Sequence, residues 1–208
     1  MSSFSDILRD RFGEDEPIFT EEIIDTFPDI SRVTLYKRLD EALQSGVLER
    51  YDRGVYFIPR EGILGKVPLL PLKVIKKKYL SDDKEVYGYL SGLNLENEIG
   101  VSPQVPATLE VTTNNASRRV REIEPFGGWR KIILRVPRLP VSEENVDALR
   151  FLDTITRVSP AILSDFEFNN LRSFATSVDK KTVYECASFY PARTSKRLIE
   201  SEALGVFT

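Results

Sequence analysis

The side chains best placed to do chemistry in this sequence are cations gathered on one short segment. Ser31 can cap a helix in which Leu35, Leu39, Ala42 and Leu43 recur at i, i+4, i+7 and i+8 before Gly46 closes it. That spacing sends Arg32, Thr34, Lys37 and Arg38 to the opposite side. Hydroxyls near a helix start donate to phosphates or base edges, and Arg and Lys neutralise phosphates or read guanine, so the pattern points to duplex DNA. Arg50 and Arg53 fall where a hairpin following that helix would touch the DNA backbone. The sign of the charge changes at the same place: residues 1–30 carry two basic and nine acidic side chains, residues 31–60 six and four. A total of −3 hides this polarity, and local field rather than net charge governs contact with a polyanion. Protein contact is the competing use of such a face, and the acidic first thirty residues speak for it. DNA weighs more because the reversal coincides with the element that would face the duplex.

A second basic cluster lies between residues 116 and 138, with seven basic side chains against two acidic. Alternation would put Arg119 and Arg121 on one strand face, with Arg118 beside them and Lys131 and Arg135 adjacent if the register permits. Like charges so close repel, which calls for an anionic partner, although a solvated sheet face accounts for them equally well. Lys73, Lys76 and Lys77 form a third, one-sided group on a helix opened by Pro71. For these, a plain solvated face outweighs a phosphate track or a docking surface.

Enzyme chemistry finds few handles. The chain has no histidine, which removes Ser/His and Cys/His catalysis and every His-containing zinc site. Its one cysteine, Cys186, falls at i+3 from Val183 in an apolar stripe and reads as a core thiol. Nucleotide-binding, hydrolase and calcium-loop motifs are all missing. The adjacent carboxylates Glu143–Glu144 and Asp82–Asp83 fit a first helical turn and a polar loop, where capping and solvation explain them. The expectation is a protein without catalytic activity, cofactor or metal. No apolar segment approaches the roughly 18 residues of a membrane span, and the start has no basic, then apolar, leader pattern, so a cytoplasmic protein is expected.

The elements that must position these residues follow from periodicity. Phe4, Ile7, Leu8 and Phe12 mark a first helix, Thr20 to Phe27 a second, and Ser31 to Gly46 the third. Residues 47–51 and 55–58 form a hairpin across Asp52-Arg53-Gly54. Helix, helix, turn, helix, hairpin is the winged helix-turn-helix plan, assigned to residues 1–60. Beyond a Pro- and Gly-rich linker, residues 61–208 should form a second, mixed domain. In it, 86–99 reads as interrupted helix, 104–113 as a strand, and 117–124 with 129–136 as a hairpin turning at Pro125-Phe-Gly-Gly128. Helices follow from Ser142 to Leu204. The fold class is α+β, with a small antiparallel sheet and C-terminal helices after the winged helix.

Several segments together resemble the AbiEi-type antitoxins of type IV toxin–antitoxin, or abortive infection, systems. They are the winged-helix start, the stretch Tyr89 to Pro106, Val111-Thr-Thr-Asn114, Pro140-Val-Ser-Glu-Glu-Asn-Val146 with Leu152-Asp153, and Ala187-Ser-Phe-Tyr-Pro191. The resemblance implies an antitoxin that represses its own promoter at inverted repeats and counteracts a nucleotidyltransferase-like toxin encoded in the same operon. In that family antagonism does not require a stable complex. Carried onto this chain, DNA reading falls on Ser31, Arg32, Thr34, Lys37 and Arg38, while Gln104, Asn114 and Tyr190-Pro191 match as structural turn and stop residues. The acidic residues before Ser31 depart from the family's more basic winged helix and imply modest affinity per copy. A ligand-responsive regulator with a pocket in its second domain, and a module that binds only protein, are the alternatives.

Overall fold

The computed structural model describes residues 3–63, 65–124 and 130–207. Packing divides the chain between Lys77 and Lys78, beyond the boundary expected after residue 60. Each unit has its own core, and the chain is α+β throughout.

The first unit begins with α1 (Phe4–Phe12), capped by Ser3, whose hydroxyl accepts from the Asp6 N–H while the Asp6 carboxylate accepts from the Ser3 N–H. Next come β1 (Ile18–Phe19), α2 (Thr20–Thr26), α3 (Arg32–Gln44), β2 (Glu49–Asp52) and β3 (Val55–Phe57). The three strands pair antiparallel in the order β1-β3-β2. At two residues β1 is too short to show an alternation, and only its pairing with β3 defines it. The sequence, with Thr20 ahead of Glu21 and Glu22, suggests Thr20 as the cap of α2, but the cap is Phe19: its N–H donates to the Glu22 carboxylate at 2.8 Å. Leu8, Ile18, Ile23, Phe27, Leu35, Leu39, Leu48 and Ile58 bury against one another as the core. The small pair β4 (Glu61–Gly62) and β5 (Gly65–Lys66) then leads to α4 (Pro71–Ile75). Helical spacing from Pro71 would put Leu72, Ile75 and Tyr79 on the inner side; Leu72 is instead exposed, and Val74, Ile75 and Tyr79 are buried. The helix lasts five residues before a π-helical turn over Lys76–Leu80, so a steady 3.6-residue phase does not hold across it.

The second unit contains β6 (Gly88–Leu90), α5 (Leu93–Ile99), β7 (Leu109–Thr113), β8 (Val120–Ile123), β9 (Ile132–Arg135), α6 (Val146–Arg157), α7 (Asp165–Ala175), α8 (Lys180–Ala187) and α9 (Ala192–Ala203). Its four strands run in the order β6-β7-β9-β8. The expected antiparallel sheet is in fact mixed, because β9 inserts between β7 and β8 and runs parallel to β7. The expected helical reading of 86–99 is corrected too: Gly88–Leu90 is a strand, paired with Val111–Thr113. Gly88 explains this, since a Cβ there would stand 2.0 Å from the Tyr79 carbonyl oxygen, a closeness only glycine permits. The expected turn at 125–128 and Trp129 lie outside the described residues.

Ala148, Phe151, Leu152 and Ile155 of α6 pack with Leu171, Val183, Cys186 and Leu198 into the second core. In the second turn of α9, Arg197 donates to the Ile155 and Thr156 carbonyls at 2.9 and 2.7 Å. It thereby satisfies acceptors at the C-terminal end of α6, where positive charge is favoured. Asn114 exchanges two hydrogen bonds with the backbone of Val141, so it is a structural clasp.

Candidate nucleic-acid interface

Helix α3 forms because Leu35, Leu39 and Ala42 bury on one side and Ser31 caps its start. The Ser31 hydroxyl accepts from the Thr34 N–H at 3.2 Å and lies 2.9 Å from the Thr34 hydroxyl. One of the two hydroxyl protons closes that contact, which leaves one O–H for an outside acceptor. Arg32, Thr34, Lys37 and Arg38 are all exposed; at about 3.6 residues per turn Lys37 lies opposite the buried stripe, and Arg32 and Arg38 flank it on either side. Among the described residues, none of Arg32, Lys37, Arg38, Arg50 and Arg53 has a carboxylate within ion-pair distance. Arg50 on β2 and Arg53 in the turn before Gly54 are likewise exposed. Polarity-based reasoning missed two apolar members of the α3 face, Val33 at 82% and Tyr36 at 45% exposure. For Val33 the available signal was its phase opposite Leu35 and Leu39; Tyr36 lies beside that stripe. The exposed Asp40 and Glu41 confine the positive part to the first two turns.

Part of the acidic segment ahead of α3 is paired within its own unit. Lys73 donates to the Asp15 carboxylate at 2.9 Å, the Asp15 carbonyl at 2.6 Å and the Glu16 carboxylate at 2.8 Å. Lys77 meets Glu22 at 2.8 Å, donates to the Pro17 carbonyl and lies over the rings of Phe12 and Phe19. Burial works against the Lys73 ammonium, but its hydrogen bonds to Glu16 and Asp15 prevail and hold its pKa above the ordinary lysine value. Asp15 has a left-handed backbone, φ 60°, at this junction, a conformation Asp tolerates better than most residues. The lysines at 73 and 77 are therefore internal partners of the acidic turn, not a free phosphate track.

The second basic cluster is parted by strand register. Val120 faces Arg135 across β8 and β9, and Arg121 faces Leu134. Arg121 thus projects on the face opposite to Arg135 and Lys131. Lys131 pairs with Glu122 at 2.8 Å and Glu124 at 3.6 Å, and these contacts raise its pKa. Arg135 holds Glu110 through both Nε and Nη2, at 3.2 and 2.9 Å. Arg118, Arg119 and Arg121 are exposed and have no carboxylate partner among the described residues. Arg130, not singled out by the sequence, donates to the Ala107 and Pro106 carbonyls.

Fold and surface define a two-unit α+β protein with an exposed, uncompensated cationic helix face. No protein-family model and no curated protein matches the chain. Among solved structures it is similar to the crystal structure of the RV2827C protein from Mycobacterium tuberculosis, with 15% identity, 93% of this chain and 72% of that chain covered, and a TM-score of 0.47. Among the described residues, no helix is long and apolar enough to cross a membrane, and no cluster of His, Cys, Asp and Glu could hold a metal ion.

Proposed function

We propose that this chain is a cytoplasmic, non-enzymatic DNA-binding regulator whose first unit is a winged helix-turn-helix, with α3 as the recognition helix and the β2–β3 hairpin as the wing. The observation that carries this reading is the face of α3. Arg32, Lys37 and Arg38 stand exposed without carboxylate partners, while Asp15, Glu16 and Glu22 of the same unit are paired to lysines. An unpaired cationic face brings no folding advantage, whereas beside a duplex each cation releases condensed counterions. The dimensions agree: a helix of about 10–12 Å diameter enters a major groove about 12 Å wide. Recognition helices read bases mainly from their N-terminal residues, which is where the positive side chains of α3 lie. Val33 and Tyr36 add apolar surface suited to a thymine methyl.

Within this class the reading follows the resemblance: an antitoxin that represses its own operon at inverted repeats and counteracts a nucleotidyltransferase-like toxin. Duplex selection from a random library tests the DNA part. It should enrich a two-half-site sequence with the native chain and none with the Arg32→Ala, Lys37→Ala, Arg38→Ala triple variant. Co-expression with the neighbouring gene product tests the antitoxin part, which predicts a toxic nucleotidyltransferase-like protein whose growth arrest this chain relieves.

A further inference from the structure

We propose that the second unit binds a small phosphorylated ligand carrying hydroxyl groups, such as a sugar phosphate or nucleotide, in a cleft where Arg119, Arg135 and Arg138 face Asp153. This goes beyond the DNA-binding reading and stands without it. Register builds the floor: Tyr89 on β6 pairs with Thr112 on β7, Thr112 with Arg135 on β9, and Arg135 with Val120 on β8, one row across all four strands. Asp153 of α6 and Arg138 join that row to line a cleft of about 460 Å³, within the usual size range of small-molecule sites.

The cleft is electrically incomplete. Three arginines line it against one aspartate; Glu110 beside the cleft pairs with Arg135, and the charge left over is that of Arg119, which has no carboxylate partner among the described residues. Two of the three are held in place beforehand. Glu110 anchors Arg135, and Gly92 leaves room for that carboxylate, since a Cβ there would stand 2.3 Å from it. Arg138 lies over the Tyr190 ring at 5.0 Å, so its N–H edges stay available to an acceptor. A cluster of guanidinium forks suits a phosphate, which carries about two negative charges and three acceptor oxygens.

Asp153 narrows the choice. Its carboxylate accepts from the Tyr89 hydroxyl at 2.8 Å. Burial raises its pKa, opposed by the hydroxyls of Tyr89 and Tyr190 and by Arg138 and Arg157. A carboxylate has about four acceptor positions; the Tyr89 hydroxyl fills one and the Tyr190 hydroxyl donates to the Leu149 carbonyl at 3.3 Å, which leaves capacity for a ligand hydroxyl. The same negative charge repels a continuous phosphodiester strand. The ligand must therefore be anionic at one end and a hydrogen-bond donor at the other.

The test is thermal unfolding and calorimetric titration of the full chain, without DNA, against ribose phosphate, adenosine monophosphate and inorganic phosphate. One or both hydroxyl-bearing phosphates should raise the midpoint, and which one does so separates sugar phosphate from nucleotide. Arg119→Ala, exposed and unpartnered, should fold normally and bind roughly tenfold or more weakly, as expected for loss of a charge-assisted hydrogen bond. Asp153→Asn should weaken the hydroxyl-bearing ligands toward the level of inorganic phosphate. The proposal is overturned if no probe binds, if Arg119→Ala binds like the native chain, or if inorganic phosphate binds as tightly as the other two.

Discussion

Arg38 and Ser31 occupy the same helix for different reasons, and their substitution should separate the two. Arg38 touches no carboxylate and is exposed, so Arg38→Ala should leave stability within about 0.5 kcal/mol of native. If it reads a base bidentately, the change should cost about 1–3 kcal/mol of binding and relax sequence preference. If it touches phosphate alone, all duplexes weaken alike and the salt slope falls by about one. Ser31→Ala removes the cap bond to the Thr34 N–H and should destabilise the first unit by about 1 kcal/mol in urea titration. Asp179 caps α8 through Thr182, and those hydrogen bonds lower its pKa. A lowered carboxylate stabilises the fold above its unfolded pKa, about 3.9, and loses that contribution as pH falls through the folded value. Asp179→Asn keeps a capping oxygen without the titration, so its acid limb should be flatter than native in a pH series of thermal melts.

Among elements, α4 and the residues after it tie back to the acidic turn before α2. A fragment ending at Lys77 should therefore be more stable to urea than one ending at residue 60. The difference should reach about 1 kcal/mol from the pairings of Lys73 and Lys77, given the modest worth of partly exposed ion pairs. Equal midpoints would place the functional boundary where the linker composition first suggested. Helices α1, α3 and α6 to α9 were legible in the sequence because each combines an apolar stripe with a local cap or stop. What stayed illegible is nonlocal. Gly88 sits in a strand because of a distant carbonyl, β1 exists only through β3, and the parallel β7–β9 pair depends on the path of an entire chain segment. The cationic face of α3 was readable for the same reason as the helix, since phase along one helix is local. The second cluster was not, because Lys131 and Arg135 find Glu122 and Glu110 through strand register.

At the scale of the molecule, a chain with net charge −3 can still approach a polyanion if its field is divided. Internal pairing of Asp15, Glu16 and Glu22 accomplishes part of that division, and α3 presents the rest. Affinity per copy should be modest and strongly dependent on salt. Two copies on half-sites about 34–36 Å apart, the spacing of one helical turn, would restore it. Shifting the half-sites by half a turn should abolish the gain from the second copy in a gel shift while leaving single-site binding intact.

The decisive measurement is fluorescence anisotropy of a library-selected duplex across a salt series. It compares the native chain with the Arg32→Ala, Lys37→Ala, Arg38→Ala variant, both shown by circular dichroism to be folded. Native binding should fall steeply as salt rises, with log affinity declining by about 0.9 per phosphate neutralised, and the variant should lose most of both affinity and slope. The same affinity and slope in both proteins would contradict the account, because duplex binding would then owe nothing to α3.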